Sequence, residues 1–363
     1  MRTGAGYSKV IAVVLLIGLL AACAAPSPRG VPSGAVQAGA ATTAASEPRS
    51  GSAEAEPSSP TAVRAAFVVI GSPALPAWIA ADRGIFERYG LDVELIYVPG
   101  LAKISEALLA NEIDFGVVPA PAAMGPGIQG ADLVMVACWS NKSAFSLYGQ
   151  PDLASVADLV GKRVSTTRRG SLGELWAAEV LSAYGLQPER DYAILPLGGQ
   201  PEQLAGLQNR AVDAAALSIP TNIIARKLGF RELLNYRDHA LEYAGVGLVT
   251  SRRFLAEQPV VAERLLQATA EAVAVMMQDS ETALAVLGER TRQDDRELLE
   301  ESLSFERDRT SRDLMPTPEG LQAALDSLVV NNPAAEGADP NRFVDLSLIR
   351  KLNDSGFISS LYR

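Results

Sequence analysis

An α/β protein of two similar lobes is what this sequence predicts, and three observations carry the prediction. The stretch Leu108 to Met124, LLANEIDFGVVPAPAAM, recurs in altered form about one hundred residues later as Leu207 to Ile223, LQNRAVDAAALSIPTNI. In both copies a helical tail with Asn111 or Asn209 leads to Asp114 or Asp213, then an apolar run, then Pro121 or Pro220. The shared unit reads as helix, tight turn, short buried strand and a proline-marked loop that opens a new helix. Second, short apolar runs alternate with helical segments on both sides of this unit. Third, the chain is 48% apolar but only 6% aromatic, which suits lobes built from Ala, Val and Leu rather than a sugar-stacking groove. With 363 residues there is chain enough for two domains.

The first residues carry an address. Arg2 and Lys9 supply a positive start, Val10 to Leu20 an apolar core too short to span a bilayer, and Leu20-Ala21-Ala22-Cys23 a small-residue cleavage site. From Ala24 to Ala62 the sequence is mostly Ala, Ser, Gly, Pro and Glu with no aromatic residue, so it reads as a flexible tether.

Arg64 to Ile70 reads as the first buried strand, and Pro76 opens a helix through about Arg88 that Tyr89-Gly90 ends. Leu91 to Val98 alternates as a strand, Leu101 to Ala110 is a helix, and the repeated unit follows. A helix over about Ala120 to Gln129 and a buried strand Leu133 to Trp139 complete the first series. Phe145 to Gly149 is a further candidate strand, and Pro151-Asp152-Leu153 marks the expected crossing into the second lobe. There Lys162 to Thr166 and Tyr192 to Leu197 read as strands, with Ser171 to Tyr184, Pro201 to Gln208 and Thr221 to Leu228 as helices. Tyr243 to Thr250 is an apolar strand that returns the chain to lobe one. The remainder has amphipathic runs at Val260 to Met277, Asp294 to Glu306 and Glu319 to Val330, expected to pack outside lobe one with no chemistry of their own. The expected organisation is a leader at 1–22, a tether at 23–62, lobe one at 63–150 plus 243–363, and lobe two at 151–242.

Three stretches, Ala80-Ala81-Asp82-Arg83-Gly84-Ile85-Phe86-Glu87-Arg88-Tyr89-Gly90-Leu91-Asp92-Val93-Glu94-Leu95, then Glu112-Ile113-Asp114-Phe115-Gly116, then Leu159-Val160-Gly161-Lys162-Arg163-Val164, occur in consistent order and spacing. They resemble the nitrate, taurine, alkanesulfonate and pyrimidine-precursor group of ABC-transporter solute-binding proteins over roughly Val63 to Leu255. The resemblance implies a type 2 periplasmic-binding fold with two crossovers, a ligand cleft between the lobes, and extra helices at the C-terminus. The tetrapeptide ending in Cys23 likewise resembles a bacterial lipobox, which implies cleavage before Cys23, lipidation of that residue, export, and anchoring to the cell membrane. The chain departs from the iron-dependent pyrimidine-synthesising relatives in having no cluster of Cys or His.

In open α/β sheets, ligands sit beyond the carboxyl ends of the strands. Pro119 and Ala120 in lobe one and Ser218 and Pro220 in lobe two therefore become facing cleft walls. Ser72, Ala77 and Trp78 occupy the first strand-to-helix region, and Trp139 ends a strand of lobe one. The strongest local chemistry is Thr166 to Glu174: a helix starting near Ser171 would point free N–H groups at Ser171, Leu172 and Gly173 toward an anion, with Arg168 beside them. In the resembling family this position is a recurrent ligand contact. The alternative is that Ser171 is only an N-cap, with Glu174 at the capping-box position. Asp114 and Asp213 read as turn residues, and Cys138, in an apolar run, as a small buried hydrophobe.

These features bound the function. The formal charge of −10 disfavours nucleic acid as a partner. His239, the only His, sits in the polar loop Arg237-Asp238-His239, where the sequence offers no Ser-His-Asp or Cys-His arrangement to build on it and no His-Glu metal spacing. The expectation is a monomeric, cofactor-free and metal-free receptor, not an enzyme, that captures a small solute and delivers it to an ABC permease driven by a cytoplasmic ATPase. The helix start and the arginines favour a sulfonate, nitrate or carboxylate-like anion. Two alternatives stay open: an enzyme on the same fold acting on a pyrimidine or small acid, and a ligand-sensing accessory lipoprotein.

Overall fold

Two five-stranded sheets, each flanked by helices, make up the computed structural model, which describes residues 59–143 and 145–363. The leader, Cys23 and nearly all of the tether lie outside the described residues. The first sheet has the order β2-β1-β3-β10-β4, from Thr61–Phe67 (β1), Leu91–Tyr97 (β2), Phe115–Pro119 (β3), Leu133–Cys138 (β4) and, from far along the chain, Val246–Ser251 (β10). The second has the order β7-β6-β8-β5-β9, from Ser146–Gly149 (β5), Arg163–Thr166 (β6), Ala193–Pro196 (β7), Ala214–Leu217 (β8) and Arg231–Leu234 (β9).

The helices in order are Leu75–Asp82 (α1), Ile85–Arg88 (α2), Leu101–Ala110 (α3), Pro121–Ile128 (α4), Leu172–Ala183 (α5), Gln200–Gln208 (α6) and Thr221–Lys227 (α7). There follow Arg252–Glu257 (α8), Pro259–Gln278 (α9), Ser280–Thr291 (α10), Arg296–Arg309 (α11), Pro318–Val329 (α12), Ser347–Asp354 (α13) and Phe357–Ser360 (α14). The core of lobe one is largest where α1, α9, α10 and α13 cover one face of its sheet, with Trp78, Ile79, Leu266 and Ile349 fully enclosed. Lobe two has a smaller core around Trp176, Leu181 and Val164.

The repeated unit is visible as a repeated joint. Asp114 accepts the Arg64 N–H at 2.8 Å, and Asp213 accepts the Arg163 N–H at 2.9 Å, each across 50 residues. Each arginine also reaches back to the carbonyl that ends the preceding helix, at Asn111 and at Arg210. The aspartates thus pin the start of one strand to its parallel neighbour, at the end of each sheet opposite the carboxyl ends of those strands. Partial burial opposes ionisation of Asp213, but its bonds from Arg163 outweigh this and hold the carboxyl below the usual carboxylate range.

Several sequence expectations need correction. The first strand spans Thr61–Phe67, not Arg64 to Ile70, because its register follows β2 residue by residue from Thr61 opposite Leu91 to Phe67 opposite Tyr97. Thr61 and Ala62, assigned to the tether, are therefore sheet residues, and Val69 and Ile70 leave the sheet and are half exposed. The helix from Pro76 is interrupted at Gly84, whose φ of 62° is left-handed and starts α2 anew. The crossing into lobe two lies before Ser146 rather than near Pro151, since β5 runs antiparallel between β8 and β9 of the second sheet. Five elements, β9 and the helices α8, α10, α13 and α14, had no expectation of their own. β9 is short and charged at its first two residues, and α10 follows α9 with only Asp279 between them.

The crossovers pair with one another. Ser143 N–H donates to Leu241 O at 2.7 Å, Tyr243 N–H to Asn141 O at 2.9 Å, and Gly245 N–H to Ser140 O at 2.8 Å. The returning strand β10 then squeezes between β3 and β4, where a Cβ on Gly247 would lie 2.0 Å from the Ala137 carbonyl oxygen. Only glycine fits against that backbone. Gly247→Ala is expected to destabilise the chain by about 2–3 kcal/mol, from overpacking that no rotamer relieves, and a shifted urea midpoint with an unchanged slope would show it.

Candidate functional site

A cavity of about 450 Å³ opens where three parts of the fold meet. One wall is Val69 to Pro73, the loop that leaves the carboxyl end of β1. The second is Ser218 to Pro220, which leaves the carboxyl end of β8 and contains a cis peptide at Pro220. Gln200, the first residue of α6, accepts the Ser218 N–H at 2.9 Å and so holds this loop in place. Both loops sit where parallel strands in open sheets present ligands.

The third wall comes from the C-terminal helices, through Leu287 and Thr291 of α10 and Leu298, Ser302, Phe305 and Arg309 of α11. This corrects the expectation that those helices only cover lobe one. The α11 helix also reaches lobe two, where Arg226 pairs with Glu297 and Glu301, Lys227 with Asp295, and Arg237 with Asp308 at 2.8 Å. Phe305 packs edge-on against Tyr236 with ring centroids 4.9 Å apart. These ion pairs are solvent-exposed, so each stabilises weakly, while Phe305 and Tyr236 are buried and form the drier part of the contact.

Most of the lining is apolar, and its charge is concentrated at one place. Glu306 is completely buried one helical turn from Ser302, and its Oε2 accepts the Ser72 hydroxyl at 3.2 Å. Arg309 places Nε 3.5 Å from Glu306 Oε1, within Coulombic reach but without a hydrogen bond. Both of those atoms are buried and unpartnered. The Arg309 guanidinium also lies 5.3 Å from the Phe305 ring centroid and borders a neighbouring cavity lined by Lys142, Arg237 and Asp308.

The residues singled out from the sequence divide into two sets. Ser72, Ser218 and Pro220 come together around this cavity. The others do not line it. Trp78 is buried edge-on to Phe67, and Ala77 and Trp139 face each other across a small internal void of lobe one, so all three fill core. Ala120 is buried and its N–H donates to Ala244 O, next to Pro119 at the end of β3. At the start of α5 the Ser171 hydroxyl accepts the Glu174 N–H at 3.3 Å and Glu174 accepts the Gly170 N–H at 3.1 Å, so the helix start is capped by its own residues. Leu172 packs on the lobe-one core, Gly173 lies against Phe145, and Arg168 is exposed with Arg169 O as its partner. Missed entirely were Ser302, Glu306 and Arg309. The signal was present, since Ser302 and Glu306 interrupt the apolar stripe of Leu298, Leu299 and Phe305 on one face of α11.

Cys138 is fully buried at the end of β4, and desolvation pushes its thiol up to about 12. Because its pKa is raised and the side chain is enclosed, the reactive thiolate is scarce at neutral and mildly alkaline pH. A Cys23→Ser chain is expected to give no colour with a thiol reagent at mildly alkaline pH until denaturant is added. Prompt labelling of the native chain would contradict the burial.

A family model described as "NMT1/THI5 like" matches residues 74–283, more than half of the chain. A search of curated proteins gave no match. Among solved structures, the chain is similar to the periplasmic aliphatic sulphonate binding protein SsuA from Escherichia coli, with 21% identity, a TM-score of 0.65, and 79% of this chain and 92% of that chain covered. It is also similar to the periplasmic nitrate-binding protein NrtA from Synechocystis PCC 6803, with 16% identity, a TM-score of 0.62, and coverage of 84% and 91%. A Candida albicans gene product with the generic periplasmic binding protein structural fold has 14% identity and a TM-score of 0.58, with 81% and 95% covered. At these identities the likeness is one of fold. By the matched family model and the two sheets joined by paired crossovers, the chain belongs to the NMT1/THI5-like family and has the periplasmic-binding-protein fold.

Proposed function

We propose that this chain is the extracytoplasmic solute-binding component of an ABC importer, capturing one small organic solute between its lobes and presenting it to a membrane permease. The observation that carries the reading is the cavity itself, which lies at the carboxyl ends of β1 and β8 and takes walls from both lobes and from α11. A solute there would contact Ser72, Ser218 and Pro220, and an acidic head group, sulfonate or carboxylate-like, would meet Arg309. The apolar lining favours an organic body over a bare inorganic ion. Binding rather than catalysis is supported by the cavity's chemistry: among the described residues its lining holds neither His nor Cys, and its one charged residue, Arg309, has Glu306 within 3.5 Å. The names of the sulphonate- and nitrate-binding neighbours support the same class. Export and lipid anchoring at Cys23 belong to this proposal and rest on the sequence of the first 23 residues, and a monomeric state belongs to it as well.

The test is thermal unfolding against a broad panel of sulfonates, carboxylates, nitrate and pyrimidines. A ligand at one hundred times its dissociation constant is expected to stabilise the fold by about 2.7 kcal/mol, and Ser218→Trp, which fills the cavity, is expected to abolish the effect. Small-angle scattering of the same samples reads the closure of the lobes. A panel without a single stabiliser would count against a solute-binding role.

A further inference from the structure

A second cavity lies at the hinge, where the two crossovers and the end of α11 meet. It holds about 250 Å³, and its walls include Lys142 and Ser143 of the outgoing crossover, Tyr236 and Arg237 just ahead of the returning one, and Asp308 and Arg309 of α11. Three basic side chains and one carboxylate thus converge in a chain whose formal charge is −10. The carboxylate is already engaged: Asp308 Oδ2 accepts the Arg237 Nε–H at 2.8 Å and the Tyr236 hydroxyl at 3.2 Å. Arg237 Nη2 donates to Ser304 Oγ at 3.1 Å, and Nη1 is left over. Arg309 pairs with Glu306 through Nε, so its Nη groups keep their donors, and Lys142 forms no ion pair among the described residues. Ser143 is 2% exposed. Its Oγ accepts the Leu241 N–H at 2.9 Å, while its own O–H donates to no acceptor among the described residues.

With Asp308 set against Arg237 and Glu306 against Arg309, the charge of Lys142 is in surplus, and all three cations retain N–H donors beside an enclosed hydroxyl. The complement of such a wall is a small anion rich in acceptor oxygens. A tetrahedral oxyanion presents oxygens in every direction and can answer donors that arrive from three chain segments, whereas a carboxylate presents its oxygens along one edge. We propose that this cavity is an effector site at the hinge that takes a compact tetrahedral oxyanion of phosphate type. The bound ion ties the outgoing crossover, Arg237 and α11 together and so braces the hinge. Only Arg309 lines both this cavity and the one between the β1 and β8 loops, so the site stands independently of where the solute binds.

The test is calorimetric titration of the full chain with inorganic phosphate, at an ionic strength held constant with sodium chloride, and with sulfate and acetate for comparison. Phosphate and sulfate are expected to bind saturably, and acetate about tenfold or more weakly. Lys142 is exposed and outside the cavity between the lobes. Lys142→Met is therefore expected to fold and to weaken phosphate binding about tenfold or more, with Lys142→Arg restoring it. Ser218→Trp, which fills the other cavity, is expected to leave phosphate binding unchanged. Absence of saturable binding, acetate binding as tightly as phosphate, or an unaltered affinity in Lys142→Met would each overturn the site while leaving the solute-binding reading intact. Loss of phosphate binding in Ser218→Trp would also overturn it, by seating the ion between the lobes. The acetate and Ser218→Trp comparisons decide the matter even where Lys142→Met fails to fold.

Discussion

Two strands that cross between the lobes, and bond to each other as they do so, are the constraint on which the rest of the structure depends. Ser140 to Ser143 on the way out and Leu241 to Gly245 on the way back form a short ribbon. Its central residue, Asn141, is buried and ties in a third segment, donating to Met315 O at 2.6 Å and accepting the Thr317 N–H at 3.3 Å. Each sheet owes its antiparallel strand to this exchange, β10 arriving from lobe two and β5 from lobe one.

The same ribbon decides where the cavity lies. The chain leaves α11 and immediately pairs with Trp139 to Asn141, so the last turn of that helix, with Glu306 and Arg309, is drawn against the gap between the lobes. Loops leaving β1 and β8 reach the gap from either side because both strands end there. The exposed pairs of α11 with Arg226, Lys227 and Arg237 act across solvent and are individually weak. They are suited to a contact that forms and releases, while the permanent attachment is the hydrogen-bonded ribbon.

The electrostatic character of the gap follows from burial more than from the number of charges. The chain carries 32 basic and 42 acidic side chains, yet the one charged residue lining the cavity, Arg309, lies beside an enclosed carboxylate, Glu306. In low dielectric that pair weighs more than the acidic surface around it. At the start of α5, by contrast, Arg169 is divided between Glu174 and Glu189 at the surface and the helix start is occupied by its own cap.

The sequence by itself determined the two-lobed α/β class, the repeated unit and most of the helices and strands. Those depend on periodicity, on proline and glycine signals, and on an Asp that recurs at the same place in both copies, Asp114 and Asp213. It also marked Ser72, Ser218 and Pro220, because strand-end loops can be counted along the chain. The tertiary structure alone decided the register that begins β1 at Thr61, the membership of β5 in the second sheet, and the burial of Trp78 and Trp139. It alone brought α11 to the cavity. Glu306 and Ser72 are 234 residues apart, and no local pattern encodes a contact that exists only once both crossovers are in place. Short-range preferences set the elements, and long-range hydrogen bonds and burial chose which of their side chains would meet.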